Sequence, residues 1–507
     1  MRLEEIIRDC GVTGTRGDMG TEIKSIAADS RKVRPESLFI AVKGFAGDGH
    51  SFIAEAVRKG ASAIIYEDED ALASQLSSFG ARNDMEAKAG TGIADGLALV
   101  RVSSSRHAEA LAAANFFRHP SKELTLVGIT GTNGKTTTVT LLYNLFTKLG
   151  YGCGMLSTIA NCVGADRRET ENTTADPITI NSLLREMADA GCSYCFMEVS
   201  SIGVEQERVS GLRFKAGIFS NLTHDHLDYH KTFAEYLRCK KLFFDNLPED
   251  AFAIINTDDR NGSVMVQNTA AKTVTYSCHG AASDHRCRLL EQSFDGMLLR
   301  IDGHEIWSRL IGRHNAYNLL AAYTTAVVLG ADGMEALTII SGLGPAPGRL
   351  ETMKGPGDIT VIIDYAHTPD ALENVLGTLR EVARGRAITC VFGCGGDRDR
   401  TKRPEMAAIA QESADRIFVT SDNSRSERTE DIFEDIRKGF DEKGLAKSIF
   451  IADRREAIRA AVLTAVPGSA VLLAGKGHET YQIDADGRHA LDEREIVNEV
   501  FGQMNKA

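Results

Sequence analysis

The 507-residue chain has no excess of positive charge: 58 lysines and arginines face 70 aspartates and glutamates, for a formal net charge of −12. A nucleic-acid surface needs clustered cations to neutralise phosphates, so that class of partner is excluded, while small anions stay within reach of local basic clusters. A cysteine framework is also missing. The ten cysteines are scattered, and the start MRLEEIIRDC has no apolar core of signal-peptide length, which together point to a reducing cytoplasm. Cys192 and Cys195 form a CxxC, but no second pair lies at zinc-ribbon spacing and YCFMEVS reads as a buried strand, so structural thiols are expected. Nor is there a membrane-length apolar run. The longest uncharged stretch, Asn315 to Ala331, falls short of the roughly 20 apolar residues a spanning helix needs and contains polar ones, so it reads as a core helix.

What the chain does have is length for about three domains at roughly 150 residues each. Strand and helix signals alternate throughout, so an α/β fold is expected, with domains at 1–107, 108–345 and 346–507. The stretch Leu124 to Gly150 joins an apolar strand, the loop GTNGKTT and an amphipathic helix whose Leu141, Leu142, Leu145, Phe146 and Leu149 fall on one face. Gly131 and Gly134 are free to take backbone angles closed to other residues, so N–H groups along Gly131, Thr132, Asn133 and Gly134 can converge on a phosphate at the helix start. Lys135 would meet the outer phosphates and Thr136, followed by Thr137, would bind Mg²⁺. The spacing departs from the general P-loop, because the position five residues before Gly134 is Ile129.

Along the rest of the chain, Asp29-Ser30-Arg31 and Gly47-Asp48-Gly49-His50 read as turn chemistry in a small α/β domain. Glu67 to about Gly96, rich in Ala, Ser, Gly and alternating charge, reads as a long, mobile surface insertion. ENTTADP precedes a helix. YCFMEVSS is an apolar strand ending in Glu198, and GIFSNLTHDHLDYH is a second strand ending in a cluster of His and Asp. Carboxyl ends of parallel strands beside a phosphate loop are where Mg²⁺ ligands sit, so Glu198 and His226 are the expected ligands beside Thr136. After the Gly- and Pro-rich hinge GLGPAPGRLE, four strands each end in a polar loop: VIIDYAHTPDAL, ITCVFGCGGDRDRTKRPEM, RIFVTSDNSRSE and VLLAGKGHET. That repetition predicts a Rossmann-like domain with a site along the carboxyl edge of its sheet.

Taken together, GTNGKTT, ENTT, MEVSS, DHLDYH, GRHNAYN, DYAHTPD, GCGGDRDRTKRPEM and GKGHE resemble the Mur ligases of peptidoglycan synthesis, and among them the ligase that adds the third residue of the stem peptide. The resemblance covers nearly the whole chain. It implies an N-terminal domain for the UDP end of the substrate, a central P-loop ATPase with a mostly parallel sheet, and a C-terminal Rossmann-like domain that brings the amino acid and closes over ATP. Ser30, Thr173, Thr174, Ser200 and Arg208 would then contact the UDP-substrate, and Asn315, Arg349 and His367 the nucleotide. Lys240, in YLRCKKLFF, matches the lysine that the family carbamylates. Lys135, Lys240 and His226 would be catalytic, with Thr136, Glu198, His226 and Lys240 about the metal. The implied substrates are ATP, UDP-N-acetylmuramoyl-L-alanyl-D-glutamate and a diamino acid, handled by a cytoplasmic monomer with no nucleic-acid or membrane partner. This chain departs from the family pattern at Ile202, usually His, and at His224, usually Arg. Folylpolyglutamate synthase shares the GTNGK loop, but its loop usually continues as Gly-Ser and it lacks the DNxR segment.

The amino acid is expected to meet Asp422, Asn423, Ser424, Arg425, Gly475, Glu479 and Arg398. Family members that add diaminopimelate carry DNPR, whereas lysine-adding ones lack the arginine. The DNSR of this chain keeps it and replaces the proline with Ser424, so meso-2,6-diaminopimelate is the expected substrate. Arg425 would grip its distal carboxylate and Glu479 its ammonium.

Overall fold

The computed structural model describes every residue except 45–46, 84–95, 171, 224–226, 281 and 507. The fold is mixed α/β with mostly parallel sheets. Two compact units divide the chain, Met1–Thr275 and Tyr276–Ala507.

The first unit opens with five strands, Val12–Arg16, Ser25–Ala27, Ser37–Ile40, Ala61–Tyr66 and Ala98–Val102. They are ordered first, fifth, fourth, third, second, and only Val12–Arg16 runs antiparallel to its neighbour. The inner strands are apolar on both faces, as a covered parallel sheet requires: Leu38, Phe39, Ile40, Ile64 and Ile65 are all inaccessible. His50 carries a structural load here. Its Nε2 accepts from the backbone N–H groups of Glu67 and Asp68, and its Nδ1 faces Asp48 at 2.6 Å. With Nε2 an acceptor, Nδ1 is the protonated nitrogen, so this cluster serves local architecture, as the turn reading expects.

The expected mobile insertion is corrected over its first half. Glu69–Asn83 is a helix, opened by Asp68, whose carboxylate accepts from Ala71 N–H. Leu72 and Leu76, one turn apart, pack against the sheet. A short apolar stripe in an Ala- and Ser-rich stretch was enough to dock it. Residues 84–95 lie outside the described residues.

The same unit holds five parallel strands in the order Phe252–Asn256, Ala216–Phe219, Thr125–Thr130, Tyr194–Glu198, Cys153–Leu156. The glycine loop therefore leaves the middle strand, flanked by the carboxyl ends of its neighbours. The helix Lys135–Lys148 follows it and buries Leu141, Leu142, Leu145 and Phe146. Cys192 and Cys195 are buried and unbridged, with burial pushing the Cys195 thiol well up, as expected of structural thiols.

In the second unit, strands His285–Ser293, Gly296–Ile301 and His304–Ser308 pair antiparallel, and the first of them packs on the helix Arg313–Val328. This is the expected core helix, with Leu319, Leu320, Ala322 and Ala326 buried. No helix among the described residues is long and apolar enough to cross a membrane. The chain then builds a sheet in the order Glu351–Lys354, Thr360–Asp364, Ala470–Ala474, Ile388–Phe392, Arg416–Val419, Ser448–Phe450, parallel except for its first strand. All four polar loops leave the carboxyl ends of adjacent strands. The hinge loop meets one of them backbone to backbone: a Cβ on Gly348 (φ 67°) would fall 2.1 Å from the carbonyl carbon of Gly477, and Tyr365 N–H donates to the Gly348 carbonyl.

Candidate active site

The glycine loop is held from below by the next strand end. Gly131 has φ 152° and Gly134 φ 88°, both in the range that favours glycine. A Cβ on Gly131 would overlap Ser220 Oγ. Ser220 Oγ and Asn221 Nδ2 donate to the Asn133 carbonyl, while Asn221 takes the N–H groups of Thr132 and Asn133 on its backbone and side-chain oxygens. Thr132 Oγ1 lies 3.0 Å from the Tyr236 hydroxyl. Ser220, Asn221 and Tyr236 are supports that motif reading missed, because nothing in SNLT or AEYL marks them apart from ordinary loop and helix residues.

Lys135 Nζ donates to the Gly131 and Thr132 carbonyls at 2.9 and 2.7 Å. Thr136 and Thr137 are buried at the helix start. Lys240 is only 1 % exposed, and its Nζ donates to the Gly131 carbonyl at 2.8 Å and lies 4.7 Å from the Tyr236 ring centroid. The helix Phe233–Asp245 thus delivers Lys240 to the loop, a placement that spacing alone could not give.

Glu198 ends the strand beside the loop strand, paired in register with Ile129. It is buried, its two oxygens accepting from Thr158 N–H at 2.8 Å and Thr158 Oγ1 at 3.2 Å. His226 lies outside the described residues. Among the described residues no three His, Cys, Asp or Glu side chains converge as metal ligands. His230, part of the polar cluster that suggested a site, belongs instead to the core: its ring nitrogens face Ser201 Oγ at 2.8 Å and Cys239 Sγ at 3.9 Å.

The residues assigned to the UDP-substrate form two groups within the first unit. Thr158 Oγ1 donates to Thr173 Oγ1, Thr174 Oγ1 donates to the Glu198 carbonyl, and Ser200 N–H donates to Thr174 Oγ1. Ser200 Oγ caps the helix Ser201–Glu205 by accepting from Gly203 N–H. Arg208 donates to the Thr174 carbonyl and to Gln206 Oε1. These four therefore share one neighbourhood with Glu198. Ser30 stands apart from them in the first sheet's domain, donating to Glu55 Oε2.

The residues assigned to nucleotide outside the loop all belong to the second unit. Asn315 is buried, with Nδ2 donating to the Ile311 carbonyl and Oδ1 accepting from Asn318. Arg349 stacks over Tyr365, 5.0 Å from its ring centroid, and His367 Nδ1 donates to the Tyr365 carbonyl.

The loops assigned to the amino acid are densely wired. Arg425 has φ 52°, an uncommon backbone state for a side-chain-bearing residue, of the kind that collects at functional sites. Its Nη1 donates to the Gly396 and Asn423 carbonyls at 2.8 and 3.2 Å. Nη2 and Nε take no partner among the described residues, so one edge of the guanidinium is open. Arg398 is exposed. Gly475 has φ 116°, and a Cβ there would fall 2.6 Å from Asp422 Oδ2. Burial pushes the Asp422 carboxyl up, but Lys476 and then Arg454 outweigh it and hold the group below its usual range. Behind the cluster, fully buried Arg454 bonds Glu493 and the Ala474 and Ser421 carbonyls, tying two of the loops together. Arg403, equally buried, bonds Glu427, Asp435 and the Gly395 carbonyl. Lys476, Arg403 and Arg454 were not read as site residues. Lys476 and Arg403 sit inside quoted motifs, but burial is not visible in a motif. A cavity of about 820 Å³ in this unit is lined by other residues, among them Cys278, Arg286, Arg300 and Arg313.

A phosphate-gripping loop at the centre of a parallel sheet, with a carboxylate at the neighbouring strand end, defines a P-loop nucleotide-binding protein. The chain belongs to the Mur ligase family. Its models match as the Mur ligase family catalytic domain at residues 22–117, the Mur ligase middle domain at 129–326 and the Mur ligase glutamate ligase domain at 348–477. The chain is 46 % identical over 506 residues to a "UDP-N-acetylmuramoyl-L-alanyl-D-glutamate--2,6-diaminopimelate ligase" of Cytophaga hutchinsonii, covering 100 % of both chains. It is 45 % identical to the ligase of the same name from Bacteroides fragilis, with 99 % of each covered. A solved structure of a ligase of that name aligns with a TM-score of 0.70 at 30 % identity, over 100 % of this chain and 99 % of the other.

Proposed function

We propose that this chain is an ATP-dependent amide ligase that joins meso-2,6-diaminopimelate to the D-glutamate γ-carboxylate of UDP-N-acetylmuramoyl-L-alanyl-D-glutamate in peptidoglycan synthesis. The observation that carries the reading is the loop cluster in which Asn423 accepts from Arg425 Nη1 and donates to the carboxylate of Glu479, leaving the other guanidinium edge of Arg425 open, in a chain aligned end to end with ligases of that name. Residues 1–107 would take the UDP end of the substrate, 108–345 ATP, and 346–507 the amino acid. The enzyme would work as a cytoplasmic monomer.

A carboxylate is a poor acyl donor because its leaving group would be an oxide. Attack of the γ-carboxylate oxygen on the γ-phosphorus of ATP forms an O–P bond and breaks the bond to the β-bridging oxygen, so ADP leaves and an acyl phosphate forms. The amine of diaminopimelate then attacks the acyl carbon. The C–O bond to phosphate breaks, phosphate departs with the electron pair, and the nitrogen sheds its proton. Lys135 would exchange its two loop carbonyls for the outer phosphates and offset the repulsion between anions. Thr136 and Glu198 offer hard oxygen donors from the loop helix and the adjacent strand end. That set suits Mg²⁺, which takes one or two protein oxygens with phosphates and waters and supplies charge neutralisation. Lys240 would carry a carbamate, formed when its neutral amine bonds the carbon of CO₂ and loses a proton, which turns a buried cation into an anionic oxygen donor.

Phosphate release measured with a panel of amino acids tests the reading. Release should require ATP, the UDP-dipeptide and diaminopimelate together. Release that ignores the UDP-dipeptide, or that runs equally well with lysine, would overturn it.

A further inference from the structure

Lys476 lies in the loop Gly475-Lys476-Gly477-His478-Glu479 and is wholly inaccessible. Its ammonium donates to Asn423 Oδ1 at 2.5 Å and to Glu479 Oε2 at 3.0 Å, lies 3.8 Å from Asp422 Oδ1, and sits 5.5 Å from the Tyr481 ring centroid. Asn423 Oδ1 also accepts from Ile483 N–H at 2.9 Å. With its oxygen claimed by two donors, the Asn423 amide has one orientation, and its Nδ2 donates to Glu479 Oε2 at 3.1 Å. Oε2 of Glu479 is thereby occupied twice, whereas Oε1 takes no hydrogen bond from any described residue.

Charge makes the same point. Asp422 and Glu479 are two carboxylates in one loop cluster, which cannot both stay ionised in a low-dielectric site without a cation. Arg454 is matched by Glu493, which it contacts at 2.8 Å. Lys476 therefore neutralises one of the two carboxylates and leaves a single negative charge over for a ligand. The other ionisable groups facing this pair are Tyr365, which feels both Glu479 and Asp422, His367 and Cys394, which face Asp422, and the Arg454–Glu493 pair behind them.

We infer that Lys476 is a positioning residue for amino-acid recognition: by locking the Asn423 amide and cancelling one of two neighbouring carboxylates, it shapes a singly charged seat for the distal ammonium of the incoming diamino acid. The inference rests on the proposed function and goes beyond it in assigning a selectivity role to a residue that need not touch the substrate. The Lys476 ammonium also holds the neighbouring Asp422 carboxyl below its usual range, so its removal disturbs this seat and leaves the sites for the other two substrates unaltered.

The test is steady-state phosphate release by Lys476→Met and Lys476→Arg beside the wild type. In Lys476→Met, the KM for diaminopimelate should rise at least about 30-fold near neutral pH, while the KM values for ATP and the UDP-dipeptide stay within about 3-fold. Lys476→Arg, which keeps the charge, should recover most of that loss. Should Lys476→Met melt early, Lys476→Gln replaces it with the same expectation. An unchanged KM, a defect shared equally by all three substrates, or no recovery in Lys476→Arg would overturn the assignment. If the wild type itself releases phosphate with a different amino acid, the proposed substrate falls, and the same comparison is then made with that amino acid.

Discussion

The ammonium of Lys240 donates to the carbonyl of Gly131 at 2.8 Å, so a residue on a helix more than a hundred positions downstream fastens the first glycine of the phosphate loop. Carbamate formation at this nitrogen would place anionic oxygens beside that carbonyl. Lys240→Ala should lose at least about 100-fold in kcat. Wild type stripped of CO₂ should weaken and recover with bicarbonate, while the alanine variant does not respond. Bicarbonate-independent wild-type activity, together with an intact mass lacking one CO₂, would exclude the carbamate.

Lys135→Ala should abolish ligation, with a fall of about 1,000-fold or more in kcat if its ammonium offsets charge on the outer phosphates. Its side chain is half-buried and donates to the Gly131 and Thr132 carbonyls, and the melting temperature should shift by a few degrees at most. Thr136 is buried, which makes the nearly isosteric Thr136→Val the cleaner probe of the hydroxyl, with Thr136→Ser as the control that keeps it. Near-normal turnover by Lys135→Ala would remove the loop from the reaction.

Under the proposed function, Arg425 would decide the amino acid. Lysine would leave the Nη2 and Nε edge unmatched, and because Nη1 is already satisfied the penalty should be about 1–3 kcal/mol, a preference for diaminopimelate of roughly 5- to 150-fold. Arg425→Ala should erase most of that preference in kcat/KM. Equal discrimination before and after the substitution would place the selectivity elsewhere.

Glu109, on the helix Ser105–Phe116, is a stability switch. Burial, and then Asp176, push its carboxyl from 4.5 up to about 8. A folded-state group that holds its proton longer than the unfolded chain contributes stability that is complete below about pH 4.5 and lost as pH rises through about 8. Glu109→Gln should therefore stabilise the protein by a few kcal/mol at pH 9 and by little at pH 5. Parallel melting curves at the two pH values check this, and an equal shift at both would refute it.

Much of this architecture was legible before any coordinates. The strand, glycine loop and helix from Leu124 to Gly150 announced themselves because each obeys a local rule, and the four polar loops after the hinge did so by repetition. Lys240 and the UDP-substrate residues were reachable only through family likeness, since a lysine in YLRCKKLFF looks like any surface lysine. Lys476, Arg403 and Arg454 stayed hidden for a different reason. A charged residue becomes a core residue only through partners far along the chain, such as Glu493 for Arg454, and single-sequence reading has no access to those pairings. His230 shows the converse, a member of a polar cluster at a strand end whose side chain is buried beside Ser201 and Cys239.

The contact between Gly348 and Gly477 bears on how the protein can be surveyed by mutation. Because the two backbones touch with no room for a methyl group, alanine scanning across the hinge and the GKGHE loop will score both positions as essential whatever the catalyst does. A loss there reports a collision, and a library that ranks residues by loss alone will draw the boundary of the active site too wide. Substitutions at Tyr365, whose N–H reaches the Gly348 carbonyl through its backbone only, keep the seam intact and would separate geometry from chemistry.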